Sequence, residues 1–357
     1  MHDIIMAVSL NKFACIYKKK LEMHIKSKER RRENQCFELY KSKFYRKLSG
    51  VDGPEHQVDI NEIREYWSKM WETTDKISNG YDEYLVEHLP DSIELTTFPN
   101  LKEFEDIIKC MPNWKAASID SIFNFFIKHI SSVHKHLYNI IKDICLEGRA
   151  QVDWFYQGMT YLIPKGSPSK GSDFRPITCM SNLYKLTTKC VTQVMQPEVE
   201  RRGLLADNQL GTVRRVQGAK EQAMLNLSLN KEHGHLLKST WIDVKKAFDS
   251  IDHKYLVECI SKLGFRKWIP CFVKEITSKW SLDVEAGPES IVNKRVNKGI
   301  LQGDSLSPLL FVLCIDPFSR RLNERYPKVS IHAEKFPHAT NHLLFIDDLK
   351  LLATNSR

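Results

Sequence analysis

Three aspartates stand where apolar segments of the sequence end. Asp243 closes the apolar segment Leu236–Asp243, and the pair Asp347-Asp348 separates the apolar runs His342–Phe345 and Leu349–Ala353, a pattern that predicts a hairpin. Carboxylates at strand ends offer hard oxygen ligands at one edge of a sheet, which suits Mg²⁺. Two such ions ~4 Å apart can activate a hydroxyl and stabilise a leaving oxygen. Because surface turns also contain Asp-Asp, the pair alone leaves the chemistry open.

The segment Lys298–Phe311, between these aspartates, combines a flexible turn with a helix start. It contains Gln302 and Gly303, and a small glycine before a capped helix suits close approach to a nucleotide and its template. A plain helix start has the same pattern. The helix is predicted over Leu306–Asn323, with Pro308 tolerated in its first turn.

The elements that must position these residues are a mixture of helices and strands, which indicates an α/β or α+β architecture. A short strand is predicted at Thr160–Lys165, before a loop rich in Gly, Ser and Pro. Trp67 and Trp71 stand at helical spacing and could stack on bases, but a stripe of apolar residues at this spacing more often belongs to the core. The further helices predicted are 16–49, one that carries Ile60, Ile63, Trp67 and Trp71, then Leu101–Cys110, Ser121–Cys145, Lys185–Glu200, Ala219–Asn230 and His253–Leu263.

Composition narrows the class of protein. The 357 residues, 42% of them apolar, suffice for two domains. Between Lys18 and Lys47, twelve Lys or Arg stand against four Glu, a run that suits a phosphate backbone or simply a solvated basic helix. The nine cysteines form no CxxC pair, so we expect free thiols in a reducing compartment and no zinc site. No apolar run approaches the ~20 residues of a membrane span, and we expect an intracellular protein.

The order of these segments resembles the reverse transcriptases of non-LTR (LINE-type) retrotransposons, especially the clade that inserts into fixed ribosomal-DNA sites. The resemblance covers roughly residues 100–357. Six blocks in the same order are far more specific than any one of them. The segments that resemble motifs A, B and C, the fingers blocks and the family's N-terminal motif are Ile242–Ser250, Gln302–Pro308, Phe345–Asp348, Leu162–Lys165 with Phe174–Thr178, Asn208–Gly211 with Gly218–Gln222, and Asn113–Ala116.

The resemblance implies a role for each matching residue. Two Mg²⁺ ions, or Mn²⁺ in their place, and a deoxynucleoside triphosphate (dNTP) would bind with an RNA template and a DNA primer. The implied set is Asp243, Asp347 and Asp348 for the metals, Lys165 and Arg175 for the triphosphate, and Gln302 and Gly303 beside the incoming base pair.

Phe248, five residues after Asp243, occupies the position that the family uses as a steric gate. A bulky ring there would collide with a ribose 2′-hydroxyl, so Phe248 favours DNA synthesis over RNA synthesis. The alternative is a phenylalanine that only packs in the core.

The resemblance also implies an α+β, right-hand polymerase fold and a nuclear location. We expect a helical basic extension over residues 1–100, fingers over 101–235 and an incomplete palm over 236–357. Three departures weaken the case for activity: the family's glycine-rich turn is replaced by Ala117–Ser121, Phe345 stands where Tyr is usual, and the chain ends nine residues after Asp348, before a thumb. A truncated, inactive relic that retains nucleic-acid binding therefore stays open, and so does a related polymerase that makes RNA.

Overall fold

In a computed structural model, the described part of the chain combines helices with three small sheets. The structure describes residues 58–72, 97–114, 122–147, 152–214, 217–286, 289–331 and 338–354, single residues 85, 120 and 150, and parts of 18–37. This mixture confirms the α+β class at the level of secondary structure. The division into fingers and palm, with boundaries at residues 100 and 235, stays a prediction.

Four of the described helices begin at side chains that satisfy free backbone amides. Asp59, Ser181 and Asp252 each accept a hydrogen bond from the first turn of a helix, and Asn100 forms a reciprocal capping box with Glu103. In chain order the helices are α1 (Ile60–Met70), α2 (Leu101–Lys109), α3 (Asn124–His129), α4 (His134–Glu147), α5 (Asn182–Arg201), α6 (Gly218–His233), α7 (Ala247–Ser250), α8 (His253–Lys262), α9 (Trp268–Lys279) and α10 (Ser307–Arg325).

The strands form a four-stranded sheet ordered β2-β1-β4-β5, a three-stranded sheet ordered β3-β9-β8, and the pair β6-β7. All described pairings are antiparallel except that of β1 with β4. The strands are β1 (Gln157–Pro164), β2 (Phe174–Met180), β3 (Lys238–Ile242), β4 (Ser281–Ala286), β5 (Glu289–Arg295), β6 (Val329–Ile331), β7 (His338–Thr340), β8 (His342–Phe345) and β9 (Asp348–Ala353).

One large hydrophobic core joins α1 to the rest of the described chain. It contains Trp67 and Trp71 of the N-terminal region together with buried residues of α5, α9 and α10. Trp67 is fully buried and Trp71 is 2% exposed, which confirms the core interpretation of these tryptophans. Helix α1 is also tied to β5, because the Arg64 Nε donates to the Ile291 carbonyl at 3.0 Å.

Most predicted helices are present, but the helix predicted over Ser121–Cys145 is wrong as a single element. The chain leaves α3 at Ile130, whose ψ of 75° is not helical, and makes a 3₁₀ turn over Ser131–Val133 before α4 begins. Serines compete for backbone hydrogen bonds and β-branched residues pack poorly in a helix, which accounts for the break. Helix α9 and the β4–β5 hairpin were not predicted.

The strand that leads to Asp243 was predicted as an apolar strand, but β3 is exposed along its whole length. It lies at the edge of its sheet. Helix α6 covers the neighbouring strands instead, through the contact of Leu229 with Leu343 and Leu352. Trp241 is consequently 67% exposed.

Within the predicted basic helix 16–49, the structure describes only residues between 18 and 37, and those are helical. The rest of that helix, and most of the turn at residues 117–121, lie outside the described residues. The eight cysteines that the structure describes are free thiols, as predicted. Among the described helices, none combines the length and apolar character that crossing a membrane requires.

Candidate active site

The register of the β3-β9-β8 sheet brings the three aspartates to one edge. Ile242, the last residue of β3, pairs with Leu349, and Phe345 pairs with Asp348. Asp243 therefore leaves β3 beside the hairpin that carries Asp347 and Asp348. The predicted hairpin is confirmed, and it turns through Ile346 and Asp347.

A cavity of about 640 Å³ opens at this edge and collects most of the residues predicted from the sequence. Its wall also includes Lys246 and the loop between β1 and β2. The predicted residues that line it are Lys165, Arg175, Asp243, Phe248, Gln302, Asp347 and Asp348. Gly303 is not among them. At Gly303, a Cβ atom would lie 2.7 Å from the Thr178 carbonyl oxygen, so the glycine permits the motif B loop to pack directly on β2.

The carboxylates share one electrostatic environment. Burial raises the pKa of Asp347, the neighbouring carboxylates Asp348 and Asp243 raise it further, and Arg175 opposes them. A raised pKa is expected for a carboxyl group that lies beside other carboxylates and whose charge is only partly balanced by a nearby cation. Among the described residues, no group of three or more His, Cys, Asp or Glu side chains is arranged so that it could hold a metal ion by itself. Any cation bound here would need ligands from water or phosphate as well, which is the usual situation of Mg²⁺.

Gln302 connects motif B to motif A and to β2. Its Nε2 donates to Asp249 Oδ2 at 3.2 Å, and its carbonyl accepts from the Thr178 amide at 2.7 Å. Asp249 is 3% exposed, and burial raises its pKa to about 6. The Trp71 indole also donates to this carboxyl group. Gln302 is thus held against the cavity wall through its side chain and its backbone.

Lys246 is a residue of the site for which sequence reasoning gave no role. Its backbone is left-handed, with φ of 54°, and its side chain turns back under the cavity. The ammonium group donates to the Phe174 carbonyl and lies 4.4 Å from the centre of the Trp67 ring. Burial lowers the pKa of Lys246 to about 8, although Asp249 acts in the opposite direction. A sequence signal existed, since Lys246 lies within motif A, but the contact with Trp67 joins residues far apart in the chain.

The Phe248 ring is half-buried between the cavity and the core. It stacks on Phe311, with 4.7 Å between the ring centres and 13° between the planes. Its carbonyl accepts from the Ile300 amide at 2.8 Å, which fixes the backbone opposite motif B. The ring therefore both packs in the core and lines the cavity.

Comparison with known proteins gives the family to which the chain belongs. Residues 163–357, more than half of the chain, match the family described as reverse transcriptase (RNA-dependent DNA polymerase). The chain belongs to this family.

Its curated relatives include proteins of R2 retrotransposons, which confirms the predicted resemblance to LINE-type elements. The retrovirus-related Pol polyprotein from type-1 retrotransposable element R2 of Popillia japonica is 30% identical over 224 residues, or 61% of this chain and 30% of the relative. The protein of the same name from Nasonia vitripennis is 30% identical over 207 residues, 56% of this chain and 19% of the relative. The retrovirus-related Pol polyprotein from type-2 retrotransposable element R2DM of Drosophila melanogaster is 29% identical over 203 residues, which are 54% of this chain and 18% of the relative. The chain thus spans less than a third of the length of these relatives.

Proposed function

We propose that this chain carries the nucleotidyl-transfer site of a retrotransposon reverse transcriptase, which extends a DNA primer along an RNA template. The observation that carries the proposal is the cavity in which Asp243, Asp347 and Asp348 face Lys165 and Arg175. Three carboxylates suit divalent cations and the two cationic side chains suit a triphosphate. A nuclear location follows from the family resemblance alone.

The carboxylates of the cavity suit divalent cations. Asp243 and Asp348 are exposed and both raise the pKa of the partly buried Asp347, which means that the three carboxylates repel one another and that a bound cation would relieve this repulsion. Bound there, Mg²⁺ or Mn²⁺ would activate the primer 3′-hydroxyl and neutralise charge on the leaving group.

The remaining side chains would hold the dNTP. Lys165 and Arg175 are exposed on the cavity wall and would bind the phosphates through charge-assisted hydrogen bonds. Gln302 would lie beside the base pair. The primer 3′-hydroxyl would lose its proton to water, and its oxygen would form a bond to the α-phosphorus. The bond from that phosphorus to its bridging oxygen would break, and pyrophosphate would leave with the electron pair.

Primer extension on an RNA template tests the proposal. The 357-residue chain should add deoxynucleotides only with Mg²⁺ or Mn²⁺ present. Asp347→Asn should reduce the rate by more than the ~10- to 100-fold that is typical of residues that merely support metal ligands. Asp143→Asn is the matched control, because Asp143 is an exposed carboxylate of α4 outside the cavity lining. A parent chain that binds primer–template but never extends it, with either metal, would overturn the proposal.

A second candidate function is nucleic-acid binding without catalysis, as in the relic interpretation. The observation that favours it is the basic helix, in which Lys26, Lys28 and the run Arg30–Arg32 are all exposed. Contacts to phosphates predict binding that weakens steeply with salt and shows little sequence preference. Titration of labelled RNA at low and physiological salt measures this. A flat salt response would reject the basic helix as a phosphate-binding surface.

A further inference from the structure

The tip of the catalytic hairpin has an unfavourable backbone conformation. Ile346, immediately before Asp347, has φ of 57°. The left-handed region is rare for residues other than Gly, Asn and Asp, and a β-branched side chain makes it an outlier. Such a conformation persists only when surrounding contacts enforce it. The contacts that hold Ile346 therefore decide how Asp347 and Asp348 are presented.

The side-chain amide of Gln209 makes these contacts. Its Nε2 donates to the Ile346 carbonyl at 3.2 Å, and its Oε1 accepts from the Ile346 amide at 2.9 Å. The same Oε1 accepts from the Gly211 amide at 2.9 Å. Gln209 is only 1% exposed, so water cannot replace these bonds readily.

The residues before and after Gln209 form backbone hydrogen bonds with β8. The Leu344 amide donates to the Asn208 carbonyl at 3.1 Å, and the Leu210 amide donates to the Leu344 carbonyl at 3.3 Å. Gly211 packs directly against Ile346, where no larger residue fits: a Cβ atom at Gly211 would lie 2.6 Å from Ile346 Cγ1 and 2.7 Å from Ile346 N. These contacts hold the segment around Gln209 against the hairpin at Ile346, one residue before Asp347.

We propose that Gln209 is a positioning residue for nucleotidyl transfer: its amide locks the Ile346 turn and thereby aims Asp347 and Asp348 into the cavity. The inference rests on the proposed function. An amide suits this task because it offers a donor and an acceptor together, as the two backbone groups of Ile346 require. A methionine of similar shape offers neither.

The test replaces Gln209 by Met and measures Mn²⁺ binding by electron paramagnetic resonance, alongside primer extension. We expect Mn²⁺ affinity to fall by about 10- to 100-fold, as is typical when the support of a metal ligand is removed. Hydrogen exchange of the peptide around Ile346 should quicken, because its amide loses its acceptor. Gln196→Met is the matched control: Gln196 is also buried and donates to the Thr212 carbonyl, yet it is not bonded to the hairpin. It should leave Mn²⁺ affinity unchanged.

A second variant separates positioning from a general loss of stability. Glycine adopts φ of about 57° without penalty, so the effect of Gln209→Met on Mn²⁺ affinity should be several-fold smaller in an Ile346→Gly background. Equal effects in both backgrounds, or a folded Gln209→Met protein with the parent's Mn²⁺ affinity and rate, would overturn the inference. If the parent itself neither binds Mn²⁺ nor extends a primer, the proposed function fails instead.

Discussion

Phe248 offers the sharpest test of which nucleotide the cavity accepts. Because its ring lines the cavity while it stacks on Phe311, it has little freedom to move aside for a larger sugar. A ribose 2′-hydroxyl placed against it would lose water and gain no hydrogen bond, which costs about 1–3 kcal/mol. That free energy corresponds to roughly 5- to 150-fold discrimination against ribonucleotides, before any steric clash is added.

Phe248→Val removes most of the ring and should relax this selection. The assay compares kcat/KM for deoxynucleotides and ribonucleotides in primer extension by the parent and the variant. Because the variant also loses core packing, Phe265→Val serves as the control: Phe265 is a buried core residue outside the cavity lining. We expect ribonucleotide use to rise at least tenfold relative to deoxynucleotide use in Phe248→Val alone.

Three results would refute this reasoning. If the parent incorporates both sugars equally well, the ring selects nothing. If Phe248→Val and Phe265→Val change the two rates in the same proportion, Phe248 acts only as a core residue. A loss of deoxynucleotide incorporation in the variant, without a gain for ribonucleotides, would also count against a gate.

Three other predictions concern the supports of the site. Trp67→Ala should lower the free energy of unfolding by about 3–5 kcal/mol in urea denaturation, since the ring is fully buried; a loss below about 1 kcal/mol would contradict its place in the core. Burial raises the pKa of Asp304 to about 6, so the folded chain binds a proton between pH 4 and 6 that the unfolded chain does not. Parent stability should therefore rise by up to about 3 kcal/mol relative to Asp304→Asn as the pH falls from 7 to 4; parallel pH profiles would contradict this. Gly303 has φ of 114°, and a Cβ atom there would lie 2.7 Å from a backbone oxygen, so Gly303→Ala should raise the KM for dNTP. Gly203 has φ of 58° but open space around it, so the control Gly203→Ala should leave the KM unchanged. Equal KM values for the two variants would refute the packing argument.

The parts of the site that sequence reasoning reached are those with a local signal. Asp243 was located by the apolar segment before it, and Asp347 and Asp348 by two apolar runs around a turn. Trp67 was assigned to the core by helical spacing. In each case a local pattern over a few residues indicates which element forms, although for β3 it did not indicate that the strand is exposed.

The parts it missed depend on packing between distant segments. The exposure of β3 arises because helix α6 packs on the neighbouring strands β8 and β9 instead, which no property of residues 238–242 encodes. Likewise, the role of Gln209 follows from a hydrogen bond to Ile346, across 137 residues of sequence. Pairings of this kind are set by the fold as a whole, so a single sequence supplies the residues but not the partners.

The backbone of the site shows why these distant partners are needed. Within the described residues, Lys246 and Ile346 are the two non-glycine residues with positive φ, and each lies within three residues of an aspartate that we propose to be catalytic. Local preference opposes both conformations, at about 1–2 kcal/mol each. Lys246 is held by the Phe174 carbonyl and the Trp67 ring, and Ile346 by Gln209. Sequences violate local preference chiefly where function requires it, so the two strained turns, together with the aspartates, support our proposal that this cavity is the site of nucleotidyl transfer.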